Sequence, residues 1–204
     1  MTSSSLLRAA LAALLMATMS AAADVSYQTH CAQCHGAEAQ GNEALGAPNL
    51  SLLSEQYIKR QLQGFKEGWR SSDDSYTQSM IAAIAPLDAP TLASATTAIA
   101  ALPDSSAVAP SAQAGDKARG RDLYTAYCGA CHGTNAVGND ALGAPNLLGL
   151  SGHYLKRQYL HFAESRRGAH PDDRYGQQMA RLSKALKDPQ LIDDVTAYVV
   201  SLAE

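Results

Sequence analysis

Residues 30–65 read HCAQCHGAEAQGNEALGAPNLSLLSEQYIKRQLQGF, and residues 127–162 read YCGACHGTNAVGNDALGAPNLLGLSGHYLKRQYLHF. The two stretches align without a gap at an offset of 97, and 21 of the 36 positions are identical. After a two-residue insertion the offset becomes 99, so that Asp73, Asp74, Tyr76 and Met80 match Asp172, Asp173, Tyr175 and Met179. A repeat this long is a duplicated domain, because solenoid units run to only about 20–50 residues. The expected domains are 24–104 and 118–204. The segment between them, 105–117, is rich in Pro, Ser, Ala, Gly and Asp, has no apolar period, and reads as a linker.

The period inside each copy is helical. Ile58, Leu62, Phe65 and Trp69 fall at i, i+4, i+7 and i+11, one face of a helix, and Leu155, Tyr159 and Phe162 take matching places. Asp188 is a good N-cap with Pro189 at the first helical position, before an apolar stripe of Leu191, Val195, Tyr198 and Leu202. Pro90, Leu92, Ala95, Ile99 and Leu102 repeat that pattern in the first copy. Leu123, Tyr124 and Tyr127 suggest a further short helix before the second cysteine pair. Gly- and Pro-containing loops lie between, and no alternation suits a strand. The expected fold is all-α, twice.

Composition narrows the function. Of 204 residues, 46% are hydrophobic and 17% charged, which excludes wholesale disorder. A net charge of −3 argues against a nucleic-acid partner, which calls for a basic field. Residues 1–23 read as a secretory signal: Arg8, then an apolar run from Ala9 to Met19, then the small-residue site Ala21-Ala22-Ala23. That run is too short to span a bilayer, which takes about 20 apolar residues. No later stretch is apolar enough, so the mature chain is expected to be periplasmic with no transmembrane segment. Its charge is uneven. Residues 24–104 carry 4 Lys+Arg against 9 Asp+Glu, whereas 118–204 carry 10 against 9.

The chemistry rests on Cys31-Ala32-Gln33-Cys34-His35 and Cys128-Gly129-Ala130-Cys131-His132. Two thiols at i and i+3 share a helix face and can bond to the two vinyl groups of one haem, and the following His can ligate the iron. A disulfide pair leaves His35 and His132 without a reason. A thioredoxin-like site wants a βαβ context, and one shared zinc would have to bridge two separate repeats. Two covalent haem c groups are expected. The sixth ligands follow by elimination: each domain keeps one methionine, Met80 or Met179, at equivalent repeat positions, and His/Met ligation is common in electron carriers. His170 is the competitor in the second domain. His30 is poorly placed for the opposite face, and His153 and His161 read as surface or helix residues. Pro48 and Pro145 lie 13 residues after the two CxxCH histidines, where a rigid turn is one reading.

Two CxxCH domains, each followed by Gly-Ala-Pro-Asn-Leu, Tyr-x-Lys-Arg-Gln and a distal Met, resemble the dihaem cytochrome c4 family over essentially the whole mature chain. The resemblance implies two class I cytochrome c folds packed face to face. It implies that the Pro48 and Pro145 carbonyls accept a hydrogen bond from His35 and His132. It implies a periplasmic electron shuttle, with a membrane terminal oxidase or a quinol-oxidising complex as partner. The Gly168 to Asp173 stretch is similar to cytochrome domains attached to oxidase subunits. The expected function is therefore electron transfer without a catalytic site. The alternatives are a haem enzyme of peroxidase or thiosulfate dehydrogenase type, and an electron-entry subunit of a larger complex.

Overall fold

The computed structural model describes residues 25–71, 73–105 and 114–203. The expected signal segment and most of the expected linker lie outside the described residues. Among the described residues there is no strand, only two isolated bridges, Asn42 with Ala47 and Asn139 with Ala144. The first half holds α1 (25–30), α2 (Ala32–His35), α3 (Glu55–Lys66), α4 (Ser75–Ile84) and α5 (Ala89–Ala101). The second repeats the order as α6 (Lys117–Tyr127), α7 (Gly129–His132), α8 (Gly152–Ala163), α9 (Arg174–Leu182) and α10 (Pro189–Ser201). The all-α expectation holds in both copies.

Side-chain caps set where the helices begin. Ser54 accepts from the Tyr57 N–H to start α3, and Ser151 accepts from Tyr154 to start α8. Asp74 and Asp173 do the same for α4 and α9, and Asp88 and Asp188 for α5 and α10. Each cap satisfies an N–H that has no partner inside its own helix.

Two expectations need correcting. Trp69 is not on the α3 face, because Gly68 turns into the left-handed region (φ 75°) and ends the helix before it. α6 is longer than the short segment expected around Leu123: its charged start, Arg119 to Asp122, hides the period, and Asp116 caps it. A third point is an addition: Met80 and Met179, left without an element by the sequence reading, sit on helices α4 and α9.

In each half the first and last helices cross. Gly120 of α6 lies so close to α10 that a Cβ there would stand 2.0 Å from the Asp194 carbonyl oxygen. Tyr124 and Tyr198 pack with ring centroids 5.5 Å apart. Asp194, fully buried, accepts from the Asp116 N–H and from Arg119, and this ties the start of α6 to α10. Buried Tyr27 and Tyr124 occupy equivalent places. Their hydroxyls donate to the Gly36 and Gly133 carbonyls at 2.6 and 2.7 Å, fastening the end of each CxxCH segment to the core.

Candidate functional site

The loop after each CxxCH motif is built to place one carbonyl. Gly41 and Gly138 adopt φ near 85° (86° and 84°), and a Cβ there would meet the Asn49 or Asn146 N–H at 2.6 or 2.5 Å. Only glycine lets the strands of the loop approach this closely. The Gly41 N–H donates to the His35 carbonyl, Leu50 to Ala39, and the second copy repeats both bonds. The chain is thereby folded back so that His35 Nδ1 donates to the Pro48 carbonyl at 2.9 Å and His132 Nδ1 to the Pro145 carbonyl at 3.0 Å. Burial pushes both imidazoles below the usual histidine range, and the carbonyl bonds oppose that only in part. A neutral ring with its proton fixed on Nδ1 keeps the Nε2 lone pair free for a metal.

Each half encloses a cavity, of about 1200 Å³ in the first and about 1390 Å³ in the second, mouth included. Cys31, Cys34, His35, Pro48 and Met80 line the first, and Cys128, Cys131, His132, Pro145 and Met179 the second. All four cysteines are free thiols. Burial, then the neighbouring thiol, pushes Cys31 and Cys128 up to about 11. The structure thus brings the two thiols, the histidine and the methionine of each half to one cavity. His170 does not line the second cavity. Its ring stacks on Trp69 at 5.5 Å, and its Nδ1 accepts from the Asp172 N–H. His30, next to Cys31, is exposed and also lines the first cavity.

The recurring Tyr-x-Lys-Arg-Gln segment has a role that the sequence reading left open. Tyr154, Arg157 and Gln158 of the second half line the first cavity, and Tyr57, Arg60 and Gln61 of the first half line the second. Arg60 donates to the Gly143 carbonyl at 2.8 Å and lies over the Tyr175 ring. Reciprocally, Arg157 donates to the Gly46 carbonyl at 2.6 Å and lies over Tyr76. Arg70 donates to Gln158 and Arg167 to Gln61, again exchanged between halves. Each cavity therefore takes part of its wall from the other domain. The signal was in the sequence, as unchanged residues on an otherwise variable helix, but only the fold shows across what they reach.

These arginines also test the fit of a haem. Arg157 Nε and Arg167 Nε are buried without a hydrogen-bond partner, one at each cavity. Burial pulls both guanidinium groups below their ordinary range. A buried donor left unpaired costs about 1–3 kcal/mol, and more when charged. The carboxylates of a haem would supply acceptors and charge of the kind these arginines lack, while the apolar walls, paired thiols, imidazole and thioether would suit its other parts. The residues fit.

One buried histidine here is held below its ordinary pKa. His161, on α8, is buried and lies 3.4 Å from Asp74 of the other half, so it is not a surface residue. Burial lowers its pKa; Asp74 pulls it up, while Arg167, Arg166 and Arg157 push it further down. Below the ordinary histidine value the unfolded chain then takes a proton that the folded chain resists, so folding stability is full above about 6.5 and falls as the pH drops. Melting temperatures from pH 7.5 to 5 should decline less in His161→Gln than in the wild type. Parallel slopes would assign the acid sensitivity elsewhere.

The comparisons with known proteins agree with this geometry. The Cytochrome c family model matches residues 20–93 and 117–203. The chain belongs to the cytochrome c family, whose members bind haem c and carry electrons. It is 30% identical over 180 residues to the thiosulfate dehydrogenase electron acceptor of Stutzerimonas stutzeri, covering 85% of this chain and 79% of that one. It is 32% identical over 137 residues to the Cbb3-type cytochrome c oxidase subunit FixP of Azorhizobium caulinodans, covering 65% of this chain but only 45% of FixP. The crystal structure of reduced recombinant cytochrome c4 from Pseudomonas stutzeri superposes with a TM-score of 0.67 at 23% identity, covering 87% of this chain and 96% of that one. That likeness gives the tandem two-domain fold. Among the described residues no helix is long and apolar enough to cross a membrane.

Proposed function

We propose that this chain is a periplasmic dihaem carrier that takes single electrons from a thiosulfate dehydrogenase and delivers them toward a membrane terminal oxidase. Its working parts are domains 24–104 and 118–204 joined by 105–117, after removal of 1–23. Cys31 and Cys34 hold one haem c and Cys128 and Cys131 the other. His35 with Met80, and His132 with Met179, are the iron ligands. The observation that carries this reading is the equality of the two cavities: the same thiols, the same carbonyl-bound imidazole and the same helix-borne methionine line both. A haem enzyme needs one of its sites to differ, with an exchangeable position for substrate. The acceptor named for the S. stutzeri relative supports the donor.

When bound, haem c supplies the one-electron couple. The protein's share is orientation and environment. The Pro48 and Pro145 carbonyls fix the imidazoles, the helices α4 and α9 hold the thioethers, and the apolar walls keep water from the iron. No group has to move a proton. The test is a reconstituted chain: thiosulfate, a thiosulfate dehydrogenase, this protein and oxidase-containing membranes. Rapid reduction by the first pair and reoxidation by the last are expected. Thiosulfate turnover by the protein alone would instead make it an enzyme.

A further inference from the structure

The duplicated halves differ most in charge on the helix that carries the candidate methionine. Residues 174–187, α9 and the turn after it, hold Arg174, Arg181, Lys184 and Lys187 and no acid. The equivalent stretch, 75–87, holds no charged residue. Arg174, Arg181 and Lys184 stand opposite Ser75, Ala82 and Ala85, and because the caps Asp88 and Asp188 correspond, Lys187 stands opposite Leu87. All four are exposed, and none is engaged in an ion pair among the described residues; Arg181 has only a 3.5 Å contact with Gln177. The nearby acids Asp173 and Asp188 are turned to the N–H groups of Gly176 and Gln190 as caps, and Asp172 sits beside His170.

The bases alternate in sequence with cavity-lining residues: Arg174 precedes Tyr175, Arg181 precedes Leu182, and Lys187 follows Leu186. Tyr175, Met179 and Leu182, at i, i+4 and i+7, line the second cavity, and Arg174 and Arg181 occupy the neighbouring face of the same helix. Leu182 and Tyr127 line that cavity while remaining 45% and 46% exposed. Their counterparts in the first half are the smaller or polar Ala83 and His30.

We propose that this face, with Leu182 and Tyr127 exposed at the cavity and flanked along α9 and its following turn by Arg174, Arg181, Lys184 and Lys187, docks a redox protein whose own cofactor mouth is rimmed by Asp and Glu. The proposal rests on the carrier reading and assigns the second domain as the end that meets this partner. Charge complementarity speeds encounter and sets orientation, and the small apolar centre allows close approach. Arginine forks favour carboxylates, which they can hold with two hydrogen bonds. One electron crosses the contact: the donor is oxidised by one as the acceptor is reduced by one, and no bond is made or broken. The first domain, with a neutral rim at the same place, is left for a partner of different character.

The test maps binding on the full holoprotein. Poly-L-glutamate is titrated into ¹⁵N-labelled protein at low ionic strength. Signal changes should cluster on residues 174–187 and around Tyr127, and should vanish at high salt. Arg181→Glu with Lys184→Glu should weaken binding by about tenfold or more, while Ala82→Glu with Ala85→Glu should leave it unchanged. Equal changes on 75–87, or undiminished binding by the charge-reversed variant, would overturn the proposal. Tighter binding to phosphatidylglycerol vesicles than to poly-L-glutamate would overturn it in favour of a membrane surface. Oxidation of the dithionite-reduced protein by hexacyanoferrate(III) is followed in parallel. Its absence in the wild type would count against the carrier reading, while the poly-L-glutamate map would still decide the face.

Discussion

Met179→Ala is expected to empty one axial position of the second domain while leaving its haem attached through Cys128 and Cys131. Met80→Ala should do the same in the first. In either variant the weak far-red band that marks a methionine–iron bond in the oxidised protein should fall to about half, and the potential of the affected site should drop, because the thioether raises it. The altered site should also bind added imidazole, with one equivalent per chain, where the wild type binds none. Both effects are local, because each methionine lines a single cavity. The band is the deciding measurement. If Met179→Ala keeps it intact, Met179 is not the ligand; His170, the competitor, stacks on Trp69 and does not line the cavity. Cys31→Ala offers the complementary result, damage to attachment with the axial set still present.

Gly120→Val should be the most damaging single change outside the ligands. A Cβ at Gly120 would stand 2.0 Å from the Asp194 carbonyl oxygen, 2.6 Å from its carbon and 3.0 Å from the Tyr198 Cβ. Two of these are backbone atoms, which cannot swing aside as a side chain can. α6 and α10 must separate, and the bonds of buried Asp194 to Arg119 and Asp116 go with them. Overpacking alone costs about 1–3 kcal/mol, and loss of partners to a buried carboxylate adds to it. A loss of about 3 kcal/mol or more is expected in denaturant unfolding. Gly68→Ala is the control. It has open space around it but a φ of 75°, so only about 1–2 kcal/mol of backbone strain is expected. Similar losses in both would mean that the α6–α10 crossing is more forgiving than its geometry implies.

The sequence was most legible where chemistry and period coincide. The CxxCH pairs, the duplicated Gly-Ala-Pro-Asn-Leu loop and the apolar stripes of α3, α5, α8 and α10 pointed to two helical domains with one cavity each. Pro48 and Pro145 became legible only through family resemblance, since their function lies in a backbone carbonyl that any residue possesses. α4 and α9 escaped notice because Ser75 to Ile84 is polar in its first half and apolar in its second, without a helical period, and Arg174 follows directly on a Pro-Asp-Asp turn. Trp69 fits the α3 period by spacing alone, but Gly68 breaks the helix between Phe65 and Trp69. His161, read as a surface or helix residue, is on helix α8 but buried, and its contact with Asp74 of the other half leaves no mark in its own copy. Arg60, Arg157, Arg70 and Arg167 were equally hidden, because contacts between two copies of one motif leave no trace in the spacing of either.

That exchange of contacts has a consequence for how the molecule holds together. Arg60 meets Gly143 as Arg157 meets Gly46, and Arg70 meets Gln158 as Arg167 meets Gln61. An interface in which each side gives what it receives is isologous, the arrangement of a two-fold homodimer. Severed at the linker, the halves are still complementary, each carrying the wall the other lacks. The tether then acts as a concentration device, raising the frequency with which two self-sufficient matching surfaces meet, rather than as the source of their fit.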